Sequence, residues 1–181
     1  MASRYDDELW ELLPEGRRAP EDIAAFVRSL EPAGRALDLG CGDGAVSAEI
    51  AAGVLTLADV SAVALDRAAR RVPSAARVEL EPDAPLPFTE GAFDLVVCTE
   101  TIEHVRDVQL LLSEVRRVLV PGGRLAVTTP AHGRVMRLPD PLSPHLRFFT
   151  RAGLGKLLDQ MGFDVGLIER RGGALFAVGS R

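Results

Sequence analysis

Arg35-Ala36-Leu37-Asp38-Leu39-Gly40-Cys41-Gly42-Asp43-Gly44 is the stretch on which the reading of this chain turns. Ala36 to Leu39 reads as a buried strand, and three glycines follow it at once. Glycine there permits a sharp turn and lets a ligand approach the backbone with no Cβ in the way. The spacing is G-x-G-x-G, not the G-x-G-x-x-G of dinucleotide sites. Asp38 sits inside the strand end and Asp43 within the loop. Carboxylates so placed repel a pyrophosphate and attract a cationic ligand.

Length and composition narrow the choices. The 181 residues suffice for one domain with a substantial core and are too few for two ordinary ones. Hydrophobic residues make up 47% with few aromatics, which points to an aliphatic α/β core. A net charge of −5 gives no generic basic footprint for nucleic acid, and Lys156 is the only lysine. Cys41 and Cys98 lack CxxC spacing and suggest no disulfide framework. Met1 to Leu13 is acidic, without the basic and apolar regions of a signal peptide. No apolar run approaches the ~20 residues of a membrane span. The expectation is a soluble cytoplasmic protein, monomeric or homodimeric.

Hydrophobic periodicity predicts helices over 6–13 and 20–30, the second with Pro20 in its first turn and Ile23, Phe26, Val27 and Leu30 on one face. Both are expected to pack across the ligand cleft. After the glycine loop, Val46 to Ala52 reads as a helix ended by Gly53, and Val54 to Ala58 as a second strand closed by Asp59. Ser61 caps a helix stopped by Pro73. Short strands follow at 77–80 and 93–98, the latter nearly all apolar and so central. Val108, Leu111, Leu112, Val115, Val118 and Leu119 mark a helix over 108–119, ended by Pro121-Gly122-Gly123; a strand follows at 124–129. Ala131 to Phe149 has no periodicity and reads as a long functional loop. Thr150 caps a last helix ending near Gly162, and strands 163–169 and 174–178 form a closing hairpin. Alternating strands and helices imply a parallel sheet covered on both faces.

Three segments carry a resemblance to a known family. They are the glycine stretch, Phe93 to Cys98 with the following Thr99-Glu100-Thr101-Ile102-Glu103-His104-Val105, and Pro121-Gly122-Gly123-Arg124-Leu125. In order and spacing over Ala36 to Thr129 they resemble class I, Rossmann-like S-adenosylmethionine-dependent methyltransferases, of the small-molecule, quinone-biosynthesis type. The resemblance implies a doubly wound, mostly parallel seven-stranded sheet of order 3-2-1-4-5-7-6 with strand 7 antiparallel, in a single domain. Residues 1–34 would then be a helical cap, 35–130 the cofactor core, 131–149 a substrate loop, and 150–181 a C-terminal helix and hairpin.

The cofactor implied is S-adenosyl-L-methionine, which carries a sulfonium and an ammonium but no phosphate. Asp38, Gly40, Cys41 and Gly42 would line it. Asp59, about twenty residues past the first glycine, sits where a carboxylate grips ribose hydroxyls, with Val60 beside it. Asp83 and Ala84, in Glu81 to Phe88, would meet the adenine edge by carboxylate and backbone N–H. Thr99, Glu100 and His104 follow strand four beside the methionine moiety. The implied activity is transfer of a methyl group (EC 2.1.1.-) to an O, N or C nucleophile of a small-molecule acceptor by in-line displacement. Histidines are the natural general bases, so His104 and His132 are the catalytic candidates, with His145 late in the loop. Tyr5, Trp10, Arg134, Met136 and Arg147 are candidate acceptor contacts.

Two alternatives stand beside this reading. Glu100, Glu103, His104 and His145 resemble the divalent-metal set of small-RNA 3′-terminal 2′-O-methyltransferases. The acidic balance opposes an RNA partner, so neither a metal nor a nucleic acid is expected. The other alternative is a cofactor-binding, non-catalytic subunit. No Asn/Asp-Pro-Pro-aromatic segment follows strand four, and a single lysine cannot supply a two-lysine tetrad.

Overall fold

The computed structural model describes residues 2–132 and 145–181, with side chains from Tyr5 onward. The candidate contacts Arg134 and Met136, and most of the expected 131–149 loop, lie outside the described residues. The elements in chain order are α1 (Ala2–Leu12), α2 (Glu21–Arg28), β1 (Ala33–Leu39), β2 (Ala52–Asp59), α3 (Ala62–Arg71), β3 (Ala76–Glu79), β4 (Phe93–Thr99), α4 (Val108–Val118), β5 (Leu119–Pro130), α5 (Arg151–Gln160), β6 (Asp164–Arg171) and β7 (Ala174–Ser180). The sheet has the order β3-β2-β1-β4-β5-β7-β6. Strands β1 to β5 pair in parallel, and β7 runs antiparallel between β5 and β6. The expected topology is therefore the observed one.

Two-residue alternation along the central strands sorts the core into two layers. Leu37, Leu39, Val96, Cys98, Leu125 and Val127 face Leu112, Val115 and Val118 of α4 and Leu154 and Leu158 of α5. The intervening Ala36, Leu95, Val97 and Ala126 face Ile23, Phe26 and Val27 of α2. Phe26 meets Phe176 of β7 edge to face, with centroids 5.2 Å apart. Helix starts follow their caps. The Ser61, Asp107 and Thr150 side chains accept from the N–H groups of Ala64, Leu110 and Gly153.

The helix expected over 46–52 is not there. Only a 3₁₀ turn, Ser47–Glu49, forms, and β2 begins at Ala52. The sheet takes the residues that the helix would need: Ala33 N–H donates to Ala51 O, and Ala52 pairs with Ala33. Gly53 lies inside the strand, where a Cβ would stand 3.0 Å from Gly34 O. At Pro121-Gly122-Gly123 the sheet also wins. The ladder pairs Phe93 with Leu119, shifts, and resumes at Leu95 with Arg124, so β5 starts five residues before the expected strand.

Phe26 is 1% exposed and carries α2 onto the sheet. Phe26→Ala should cost about 3–5 kcal/mol of stability by chemical denaturation, and a loss under about 1 kcal/mol would show that α2 is not anchored by this ring.

Candidate functional site

The site is built at the carboxyl ends of β1, β2, β4 and β5, where the strand order turns from β1 across to β4. Gly40 closes β1 with φ +74°, and its N–H donates to Ala58 O at 2.8 Å. A Cβ there would come within 2.4 Å of the Thr101 side chain. Gly42, φ +54°, gives its N–H to Asp59 Oδ2 at 2.8 Å and lies against the Trp10 ring. Both positions need glycine for backbone conformation and for close approach.

Two carboxylates are buried here. Asp38 is 0% exposed; its Oδ2 accepts the Ser47 hydroxyl at 2.5 Å, and its Oδ1 has no hydrogen-bond partner among the described residues. Burial pushes its pKa up to about 7, against the Ser47 hydrogen bond. Asp59 is 8% exposed and accepts from the Gly42 and Ser61 N–H groups. Burial raises it to about 6, offset in part by those bonds. Asp43 is occupied otherwise, accepting from Ala45 N–H and, at 2.8 Å, from Arg71. Cys41 packs with Leu57, Leu65 and Ala68, and its thiol is pushed well up by burial.

Around this pair the expected residues spread along the rim. Val60 is half-buried at the end of β2. Asp83 has φ +57° and lies 3.9 Å from Arg106. The Ala84 N–H is turned to Glu81 O at 3.4 Å, so within the loop it already has an acceptor. Arg117 fastens this loop, donating to Leu86 O, Phe88 O and Glu114, and Glu114 accepts from Leu86 N–H. Past β4, Thr99 O accepts the Thr101 hydroxyl, and Glu100, φ +50°, accepts the Thr128 hydroxyl.

Glu103 is the residue that motif reading undervalued. It is 0% exposed; its Oε2 accepts the Thr129 hydroxyl at 2.9 Å, while Oε1 has no hydrogen-bond partner among the described residues and faces His104 Nε2 at 3.9 Å. Burial, then the Glu100 charge, raises it to about 8. The His104 and His145 rings are 4.9 Å apart, and one ligand atom from each of Glu103, His104 and His145 lies within 4.8 Å of the others. Glu100 is not in that group, and neither is His132, which is exposed and gives its N–H to Phe149 O. Arg147 is turned to Arg106 O. The Glu103–His104 string signals a partnership by adjacency, but the approach of His145 from 41 residues on has no local signal.

Residues 37–127 match the methyltransferase-domain family. The chain belongs to the class I S-adenosylmethionine-dependent methyltransferases. Among similar sequences is a probable S-adenosylmethionine-dependent methyltransferase of Mycolicibacterium smegmatis, 39% identical over 139 residues, 71% of this chain and 51% of that protein. Another is the 27-O-demethylrifamycin SV methyltransferase of Amycolatopsis mediterranei, 32% identical over 145 residues, 76% of this chain and 51% of that one. The chain thus spans about half the length of these curated relatives. A SAM-dependent methyltransferase structure from Aquifex aeolicus superposes with a TM-score of 0.73 over 97% of both chains at 17% identity, a likeness of fold.

The methyltransferase fold explains its buried acids. An enclosed Asp38 oxygen with no hydrogen-bond partner among the described residues, at the strand end that leads into the glycine loop, is costly left uncompensated and suits a cationic ligand. The residues present fit the family's cofactor on that ground.

Two outcomes are expected at this site. Asp59→Ala should weaken S-adenosylhomocysteine binding by about 1–3 kcal/mol in calorimetry, and an unchanged affinity would make Asp59 a purely structural acceptor. The pH dependence follows from the raised carboxyls. Asp38 and Asp59 titrate in the folded protein at about 7 and 6, above the ordinary 3.8, so the folded state holds more protons than the unfolded chain between those values. Their contribution to stability is therefore greatest in acid and is lost as pH rises toward 7. The lowered groups Glu90, Asp94 and Glu114 act below about pH 5, outside this window. Melting of the cofactor-free protein should move down between pH 5 and 7.5; an upward movement would contradict the burial of these charges.

Proposed function

We propose that this methyltransferase transfers a methyl group to a small-molecule acceptor by in-line displacement, with His104 as the proton-accepting group. The observation that carries this reading is the juxtaposition, at the end of β4, of the half-exposed His104 and the enclosed Glu103 carboxylate. When bound, the cofactor supplies an electrophilic methyl on a sulfonium leaving group. The protein's part is alignment and exclusion of water. Asp38 and Asp59 offer negative charge, and Gly40 and Gly42 allow close backbone approach. His104 would take the acceptor's proton, and Glu103 would hold the imidazole and stabilise its charged form. A small acceptor suits a chain of net charge −5, on which a polyanion would be repelled. It also suits the similarity to the rifamycin methyltransferase, which acts on a small molecule by its name.

A second reading has its own observation. Glu103, His104 and His145 offer one carboxylate and two imidazoles within 4.8 Å, and Glu103 Oε1 is enclosed with no hydrogen-bond partner among the described residues. Such a set suits a divalent transition ion, which would bind and acidify an acceptor oxygen. Among the described residues it is a three-residue set, without Glu100, which accepts the Thr128 hydroxyl. One assay separates the two. With an acceptor panel of hydroxylated aromatics and amines, metal-free transfer should survive EDTA, lose at least about a hundredfold in His104→Ala, and tolerate His145→Ala. Activity that vanishes in EDTA, returns with Mn²⁺, and is abolished by both Glu103→Ala and His145→Ala would establish the metal reading instead.

A further inference from the structure

Helix α1 is attached to the molecule by polar side chains. None of its residues from Tyr5 to Leu12 is among the buried hydrophobic core, and its main packing neighbour is α3. Asp7 Oδ1 accepts the Ser61 hydroxyl at 2.6 Å and the Val63 N–H at 3.2 Å, at the first turn of α3. Just past the helix, Leu13 O accepts from Arg67 at 2.9 Å, and Glu15 pairs with Arg70 at 3.0 Å. Beyond that lies a turn through Pro14 and Gly16; Gly16 has φ +77°, with open space where a Cβ would be. An element held by such contacts, next to a permissive joint, detaches without opening the core.

What α1 covers is the ligand cradle. A Cβ on Gly42 would lie 2.8 Å from Trp10 Cζ2 and 2.9 Å from Cη2, so the indole stands directly on the glycine that donates to Asp59. Asp6, on the same helix, is close enough to add its charge to the environment of Asp59. Asp59 is almost wholly enclosed, yet the family resemblance implies that it meets a ribose. A carboxylate so covered accepts nothing from outside until its cover moves.

We propose that α1 is a hinged lid on the cofactor site, closed by the Trp10 ring over Gly42 and latched by Asp7 on Ser61 and the first turn of α3. The proposal rests on the reading of Asp59 and Gly42 as cofactor-contacting residues. Ser61 joins latch to site: its hydroxyl donates to Asp7 while its N–H donates to Asp59 Oδ1. A ligand that draws on Asp59 therefore acts on the residue that holds the lid. Trp10 is a positioning residue in this scheme, confining the ligand against the glycine loop, and Asp7 sets how fast the site opens.

Trp10 is the only tryptophan, so intrinsic fluorescence reads the lid without a label. Stopped-flow mixing with S-adenosylhomocysteine should change the emission at a rate that saturates with ligand concentration, the plateau being the opening rate. Asp7→Ala should lift that plateau and speed dissociation by about fivefold to tenfold, as expected for loss of a hydrogen-bonded latch. In the unaltered chain, α1 amides should exchange with deuterium faster than those of α3, and slow when ligand is added. Ligand heat in calorimetry with no change in emission, or α1 amides as protected as those of α3 without ligand, would overturn the lid alone. No heat at all, with the unaltered chain or with Asp7→Ala, would overturn the cofactor reading of Asp59 and Gly42 and the lid with it.

Discussion

Two carboxylates buried at neighbouring strand ends are the constraint that organises this molecule. Asp38 and Asp59 stand at the carboxyl ends of β1 and β2, adjacent in a parallel sheet and hidden from water. Burying anions is unfavourable unless hydrogen bonds or opposite charge compensate. The glycine loop bends so that Gly42 N–H reaches Asp59, and the 3₁₀ turn forms where Ser47 can reach Asp38. Compensation stops short at Asp38 Oδ1, which has no hydrogen-bond partner among the described residues. A site left incompletely neutralised in this way is matched to a cationic ligand, which is what the methyltransferase cofactor is.

The sheet makes a second demand on the same region. Because β1 lies between β2 and β4, the loops after β1 and β4 meet at one edge. Thr101 shows how tightly. Its hydroxyl donates to Thr99 O at 2.9 Å, and its side chain fills the space a Cβ on Gly40 would need. The same crossing carries Glu103 into the interior and leaves His104 half-exposed beside it. The glycine loop and the Glu103–His104 pair are thus parts of one packed unit, while α1 is joined through side-chain oxygens and arginines. A packed sheet end with a more loosely attached helix beside it is a division that would suit enclosure and release of a ligand at the proposed site.

The sequence by itself determined the strand order, most of the helices and the glycine loop, because these depend on local pattern. Leu37 and Leu39 alternate with Ala36 and Asp38, α4 repeats every three to four residues, and Ser61 and Thr150 announce helices that begin where expected. The glycines of the loop are legible for the same reason, since left-handed backbone favours that residue. Tertiary structure decided what depends on contacts between distant segments. The helix-like segment 46–52 became a turn and a strand because pairing with β1 satisfied its backbone better. His145 joined Glu103 and His104 although 41 residues separate it from His104, and His132, equally eligible by residue type, was left outside. Asp7 and Trp10 found Ser61 and Gly42 across more than thirty residues. Periodicity records which face of an element is buried, but it carries no information about which loop a folded chain brings back to meet another; only packing decides that.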